Sequence, residues 1–187
     1  MLPDPLIELF ESRLPDLTGE SGTPNVERSE QTSLFVHAAQ VEAMVMRTAM
    51  ARYARAHDLN LIDFQVVQSV VSLGEVGRTA TPGYISTLLS MSASTLTSIL
   101  ERLVNRGYLT RERDSADRRR ISVYYTESSA DLIREFYTML EDAYTPMFTH
   151  LSTEDIAART DFVRLMTEAT QTMIEKLSDG PAPTFEG

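Results

Sequence analysis

The chain has 187 residues, 42% of them hydrophobic, no cysteine, and a formal net charge of −10. That length can bury on the order of 70% of its unfolded surface, so one domain with extensions is expected. Zero cysteines exclude disulfides and thiolate metal sites, and the acidic balance argues against coating nucleic acid or an anionic membrane.

In chain order, Pro3–Leu17 spaces Leu6, Ile7, Phe10, Leu14 and Leu17 as a short amphipathic helix broken at Pro15. It lacks the basic start and apolar run of a secretory signal, and no run of about 18 apolar residues follows anywhere, so no membrane span and a cytoplasmic location are expected. Thr18–Gln31 is polar, contains Gly and Pro, and is read as a linker closing a 1–32 extension. Ser33–His57 is expected to be a long helix with a stripe of Leu34, Ala38, Val41, Val45 and Thr48 or Ala49. Leu61–Leu73 continues with Leu61, Phe64, Val67 and Val71 in step. Thr79–Pro82 is a short strand or turn, with Thr81 suited to cap and Pro82 to begin a helix that faces Ile85, Leu88 and Leu89 inward.

The stretch Ser92–Thr126 organises the rest. Leu96, Ile99, Leu100, Leu103 and Val104 give one apolar face of a helix capped by Ser92, while Ser94, Thr95, Thr97, Ser98 and Arg102 occupy the others. Gly107 ends it, and two β-prone runs follow, Tyr108–Arg113 and Arg120–Thr126, joined by a turn with Arg118, Arg119 and Arg120. Short hydroxyl side chains let a helix backbone sit close to base edges in the major groove, and Arg can be bidentate to guanine. An arginine-tipped hairpin can enter the adjacent minor groove. This stretch holds seven arginines against four acids, leaving ten basic and 23 acidic residues elsewhere, so a basic patch rides on an acidic body.

Beyond it, Ser128–Thr149 carries Leu132, Phe136, Leu140, Tyr144 and Phe148 in a stripe that Pro146 should end. Ser152 and Asp155 form a cap for a last helix with Ile156, Val163, Met166, Ala169, Met173 and Leu177, and 179–187 is a tail. His37, His57 and His150 are scattered, with no catalytic or metal spacing, so neither an enzyme nor a cofactor is expected.

The helix and hairpin resemble the winged helix-turn-helix of the MarR family of bacterial transcriptional regulators. The resemblance rests on STLTSILERLVNRGYLTRERD (from Ser94) and DSADRRRISVYYT (from Asp114), with Asp117 and Arg119 at the most characteristic wing positions. It extends more weakly to Leu59–Glu75 and His150–Ala158, covers about residues 33 to 178, and departs at Ser129, where the family commonly has Gly. The fold class expected is therefore mainly α with a small β-hairpin wing. Residues 59–126 would form the winged core, and 33–57 with 127–178 a dimerisation layer.

The resemblance implies a homodimer on a pseudo-palindromic stretch of double-stranded DNA, and a repressor released by a small, often aromatic or phenolic, anion. Ser92, Ser94, Thr95, Thr97, Ser98 and Arg102 would face the major groove. Arg119 would enter the minor groove, Arg118 and Arg120 would meet phosphates, Asp117 would orient the arginines, and Arg111 and Arg113 would reach backbone. His37, Met44, Arg47 and Phe64 are the candidate effector pocket. The alternative is a winged protein-interaction module whose arginines meet an acidic partner.

Overall fold

The computed structural model describes residues 28–113 and 121–179. Its elements are α1 (Arg28–Ala56), α2 (Leu61–Glu75), α3 (Pro82–Leu88), α4 (Ala93–Asn105), β1 (Leu109–Arg113), β2 (Ile121–Tyr125), α5 (Glu127–Tyr144), a 3-10 turn (Thr145–Phe148) and α6 (Thr153–Asp179). The sequence expectation of a mainly helical chain with one β-hairpin holds. The chain divides after Arg134 into two compact units.

In the first unit, α1 starts at Arg28, so four residues read as linker are helical. They carry no apolar stripe that would mark them as helix in the sequence. The anticipated face of α1 (Leu34, Ala38, Val41, Val45, Thr48) is only half-buried, and full burial begins at Tyr53 and Ala54. The chain turns at Asp58 in the left-handed region, φ 58°, and Asn60 caps α2 by accepting from the Asp63 N–H at 2.8 Å.

Helix α2 is the core's spine: Phe64, Val66, Val67, Val70, Val71 and Leu73 are buried. Tyr53 meets Phe64 edge-on at 5.6 Å between ring centroids, and its hydroxyl donates to the Leu132 carbonyl of α5 at 2.9 Å. Ala80 makes a single bridge to Val123 and its carbonyl accepts from the Val123 N–H at 2.8 Å, extending the hairpin edge. Thr81 caps α3 and Pro82 opens it, as anticipated. Ile85 is buried, but Leu88 is 51% exposed, against expectation, because α3 ends there after only seven residues.

Strands β1 and β2 are antiparallel, with Leu109 opposite Tyr125, Arg111 opposite Val123 and Arg113 opposite Ile121. Ser129, the departure from the family's common Gly, is fully buried and its hydroxyl donates to the Tyr108 carbonyl, fastening α5 to the start of the wing. A glycine there could not make that bond.

The second unit holds the rest of α5, the 3-10 turn containing Pro146, and α6. Along the α5 stripe Leu132 and Phe136 are buried, Leu140 and Phe148 half-buried, and Tyr144 exposed. Ser152 and Asp155 close a reciprocal cap on α6: the Asp155 N–H donates to the Ser152 hydroxyl at 3.1 Å, and that hydroxyl donates to the carboxylate at 2.9 Å. Phe162, Val163, Leu165, Met173, Ile174 and Leu177 of α6 are all exposed within the protomer.

Candidate nucleic-acid interface

Helix α4 forms because one third of its circumference is apolar and its first turn is capped. Ser92 is extended, φ −68° and ψ 150°, and its hydroxyl accepts from the Thr95 N–H at 3.2 Å. Leu96, Ile99, Leu100 and Leu103 are buried beneath it. The hydroxyl-bearing residues anticipated on its outer face, Ser94, Thr95, Thr97 and Ser98, are all exposed, with Ser92 beside them. Their hydroxyls are not idle. Ser92 lies 3.0 Å from the Ser94 hydroxyl and 2.8 Å from that of Thr95. Thr97 donates to the Ala93 carbonyl at 2.8 Å and Ser98 to the Ser94 carbonyl at 3.4 Å.

Three arginines of this region serve inside the protein, which the sequence did not reveal. Arg102 forms a bidentate ion pair with Asp63 of α2, through Nη2 to Oδ1 and through Nε to Oδ2 at 3.1 Å. The Asp63 side chain is 3% exposed and that of Arg102 44%. The bond to Asp63 pushes the guanidinium pKa up, burial opposing it and charge attraction adding to it, so Arg102 is a permanent cation. Arg106 donates to the Asp58 carbonyl at 2.6 Å and the His57 carbonyl at 3.3 Å, at the end of α1, with its guanidinium 5.4 Å from the Tyr108 ring centroid. Arg111, half-buried on β1, donates from Nη2 to the Thr97 carbonyl at 3.2 Å, while its buried Nε has no partner. The three therefore pin α4 to α2, to the α1–α2 corner and to the wing.

Arg113 ends β1 opposite Ile121. Asp117, Arg118, Arg119 and Arg120, the expected wing tip, lie outside the described residues. Two exposed residues were missed by sequence reasoning. Arg78 precedes α3 and lies 5.7 Å from the Tyr84 ring centroid, and Glu101 sits on the outer face of α4. A basic residue three positions before a helix cap was the available signal for the first.

The four candidate pocket residues do not converge on one cavity. Phe64 is fully buried in the core, where helical periodicity also put it, so it cannot line an open site. His37 is on the exposed side of α1, bonded through Nδ1 to the Ser33 carbonyl at 2.8 Å, and Met44 is exposed. Arg47 alone reaches a cleft, of about 620 Å³, with Asn60, Leu61, Ile62, Thr95, Ser98, Ile99 and Arg102. One wall is thus α4, and the start of α2 supplies another. Among the described residues no three His, Cys, Asp or Glu side chains gather as a metal site, and no helix is long and apolar enough to cross a membrane.

Residues 57–120 match the model of the MarR family. The chain is 25% identical over 131 residues, 70% of its length and 84% of the relative's, to an uncharacterized HTH-type transcriptional regulator, YcgE, of Bacillus subtilis. Its fold is similar to that of a Staphylococcus aureus MepR mutant from a multidrug-resistant clinical isolate, with a TM-score of 0.64 at 15% identity over 73% of this chain and 96% of that one. A second S. aureus MepR mutant, bound to an oligodeoxyribonucleotide, matches with a TM-score of 0.52 at 16% identity, covering 73% and 97%.

Proposed function

We propose that this chain, whose residues 57–120 match the MarR family model, acts in the cytoplasm as a homodimeric, site-specific transcriptional regulator of that family, a repressor released by a small anion. The observation that carries the DNA-binding part is α4: an exposed hydroxyl face on a helix fixed at three points beside the wing. A helix held that rigidly presents its side chains at fixed depth, which base readout needs. The oligodeoxyribonucleotide bound to the MepR relative supports the same reading.

Because Arg102, Arg106 and Arg111 are engaged within the protein, the phosphate and minor-groove work falls to Arg113, Arg118, Arg119 and Arg120, with Arg78 beside α3. The exposed apolar residues of α6, and separately Phe35, Val36 and Met44 of α1, support a second copy as their cover. A two-fold dimer places two copies of α4 about one turn of DNA apart on a pseudo-palindromic operator.

The effector is assigned to the cleft between Arg47 and α4. A small aromatic or phenolic anion there would compete with Asp63 for Arg102 and change the seat of α4. A differential affinity of about 1–3 kcal/mol between the two states changes DNA affinity roughly 5–150-fold.

The test is fluorescence anisotropy on the duplex upstream of the protein's own gene, titrated across salt. Tight, competitor-resistant binding with a steep salt slope is expected. Binding no better than to random duplex, with a flat slope, would overturn the reading and leave the wing to an acidic protein partner.

A further inference from the structure

We propose that the outer face of α4 reads DNA as a hydrogen-bond acceptor, and so selects, on the strand it contacts, a base with a major-groove amino group, cytosine (N4) or adenine (N6), over guanine. The inference rests on the regulator reading above and deepens it to the chemistry of the operator.

Helical spacing sets Ser94, Ser98, Glu101 and Asn105 opposite the buried Leu96, Leu100 and Leu103, with Thr97 on one flank and Arg102 on the other. A serine or threonine hydroxyl has one proton to give and two lone pairs to receive. In Thr97 and Ser98 that proton is turned inward, onto the Ala93 and Ser94 carbonyls. At those two positions what faces outward is lone pairs, while the Ser94 hydroxyl is paired with that of Ser92 at 3.0 Å. The Glu101 carboxylate accepts only. The cation on this face, Arg102, has its Nε–Nη2 edge on Asp63, and the carboxylate balances its charge. That edge is one of the two forks with which a guanidinium grasps guanine O6 and N7. Asn105, whose amide can donate, is the last residue of the helix, away from the N-terminal end that enters the groove.

Guanine offers the major groove two acceptors, N7 and O6, whereas cytosine offers the N4 amino group and adenine the N6 amino group beside N7. Set against Thr97, Ser98 and Glu101, a guanine on the contacted strand leaves acceptors facing acceptors. Adenine or cytosine satisfies both sides. The same face thereby rejects as well as selects.

The experiment begins with selection of duplexes from a randomised pool by the full-length protein. The selected duplex is then rebuilt with base analogues, one position at a time, across the major-groove contacts. Purine for adenine and 2-pyrimidinone for cytosine delete only the amino group, while 7-deazaguanine deletes the guanine N7. The same analogues outside the protected region control for duplex stability. Amino deletions within each half-site should weaken binding about 5–150-fold, 7-deazaguanine should change it less than about twofold, and Glu101→Gln, which adds a donor, should relax discrimination against guanine. Loss of binding on 7-deazaguanine with none on amino deletion overturns the inference and makes an arginine the reader. A selection that enriches no sequence overturns the regulator reading itself, and is told apart by that.

Discussion

Removing Arg102 should destabilise the protein more than neutralising its partner. Asp63 keeps 3% of its side chain exposed and Arg102 keeps 44%, so the two ends of the ion pair are not equivalent. Arg102→Ala strands a carboxylate in a nearly dry site, and breaking a buried pair this way costs about 3–5 kcal/mol. Two effects reduce that. Water can follow into the half-open place of the guanidinium, and Asp63, in the first turn of α2, retains favourable interaction with the helix N-terminus of about 0.3–1 kcal/mol. About 2–3 kcal/mol remains. Asp63→Asn leaves a cation that water can rehydrate, and should cost only about 0.5–1.5 kcal/mol. The double variant Arg102→Ala/Asp63→Asn should be more stable than Arg102→Ala alone, because the stranded charge is gone. Urea unfolding followed by circular dichroism, at one protein concentration, measures all three. If Arg102→Ala unfolds within about 0.5 kcal/mol of the parent while DNA affinity collapses, the clamp argument is refuted and Arg102 is a DNA ligand.

Other expectations are narrower. Arg119→Ala should weaken specific DNA binding by about 1–3 kcal/mol, with an unchanged circular dichroism spectrum, and unaltered affinity would remove the wing from the interface. Phe64→Ala should cost about 3–5 kcal/mol in urea unfolding, since the ring is fully buried against Tyr53. Ser129→Ala should cost only about 1 kcal/mol, because the Tyr108 carbonyl keeps the Thr126 hydroxyl at 3.1 Å. The Ser152 hydroxyl, then the Ser152 backbone N–H, hold the Asp155 carboxyl below the usual carboxylate range. A lowered folded-state value stabilises the α6 cap fully above the unfolded pKa of about 3.9 and loses that as pH falls through the folded one. The protection factor for amide exchange at Asp155, taken against the intrinsic rate at each pH, should therefore fall on acidification, and Asp155→Asn should abolish that acid step.

Elements whose cause is local were legible in the sequence. The apolar third of α4, the Ser92 and Thr81 caps, Pro82 and Gly107 all act within a turn or two of themselves, and they stand where the spacing put them. What escaped is long-range. Asp63 belongs to the polar positions of LNLIDF, and only a guanidinium 39 residues later makes its burial tolerable. Arg106 finds its carbonyls 48 and 49 residues back, so nothing near it distinguished a cap from a DNA contact. Leu88 is apolar and in register with Ile85, yet α3 is too short to bury both. The outer hydroxyl face of α4 could be read as a composition, but not the inward turn of its protons, which depends on the helix carbonyls beneath.

The Tyr53–Leu132 hydrogen bond has a bearing on the order in which the molecule comes together. It joins residues 79 apart, and closing so long a loop costs about 4 kcal/mol of chain entropy beyond the constant term. The Asp63–Arg102 pair closes only 39 and the Arg111–Thr97 bond 14. The winged core has the shorter circuits, about 0.6 kcal/mol cheaper to close for each halving of loop length, which favours its closing before α1 and α5 are clasped across it. Kinetically, the winged core is an insert that matures inside an open bracket formed by α1 and the start of α5.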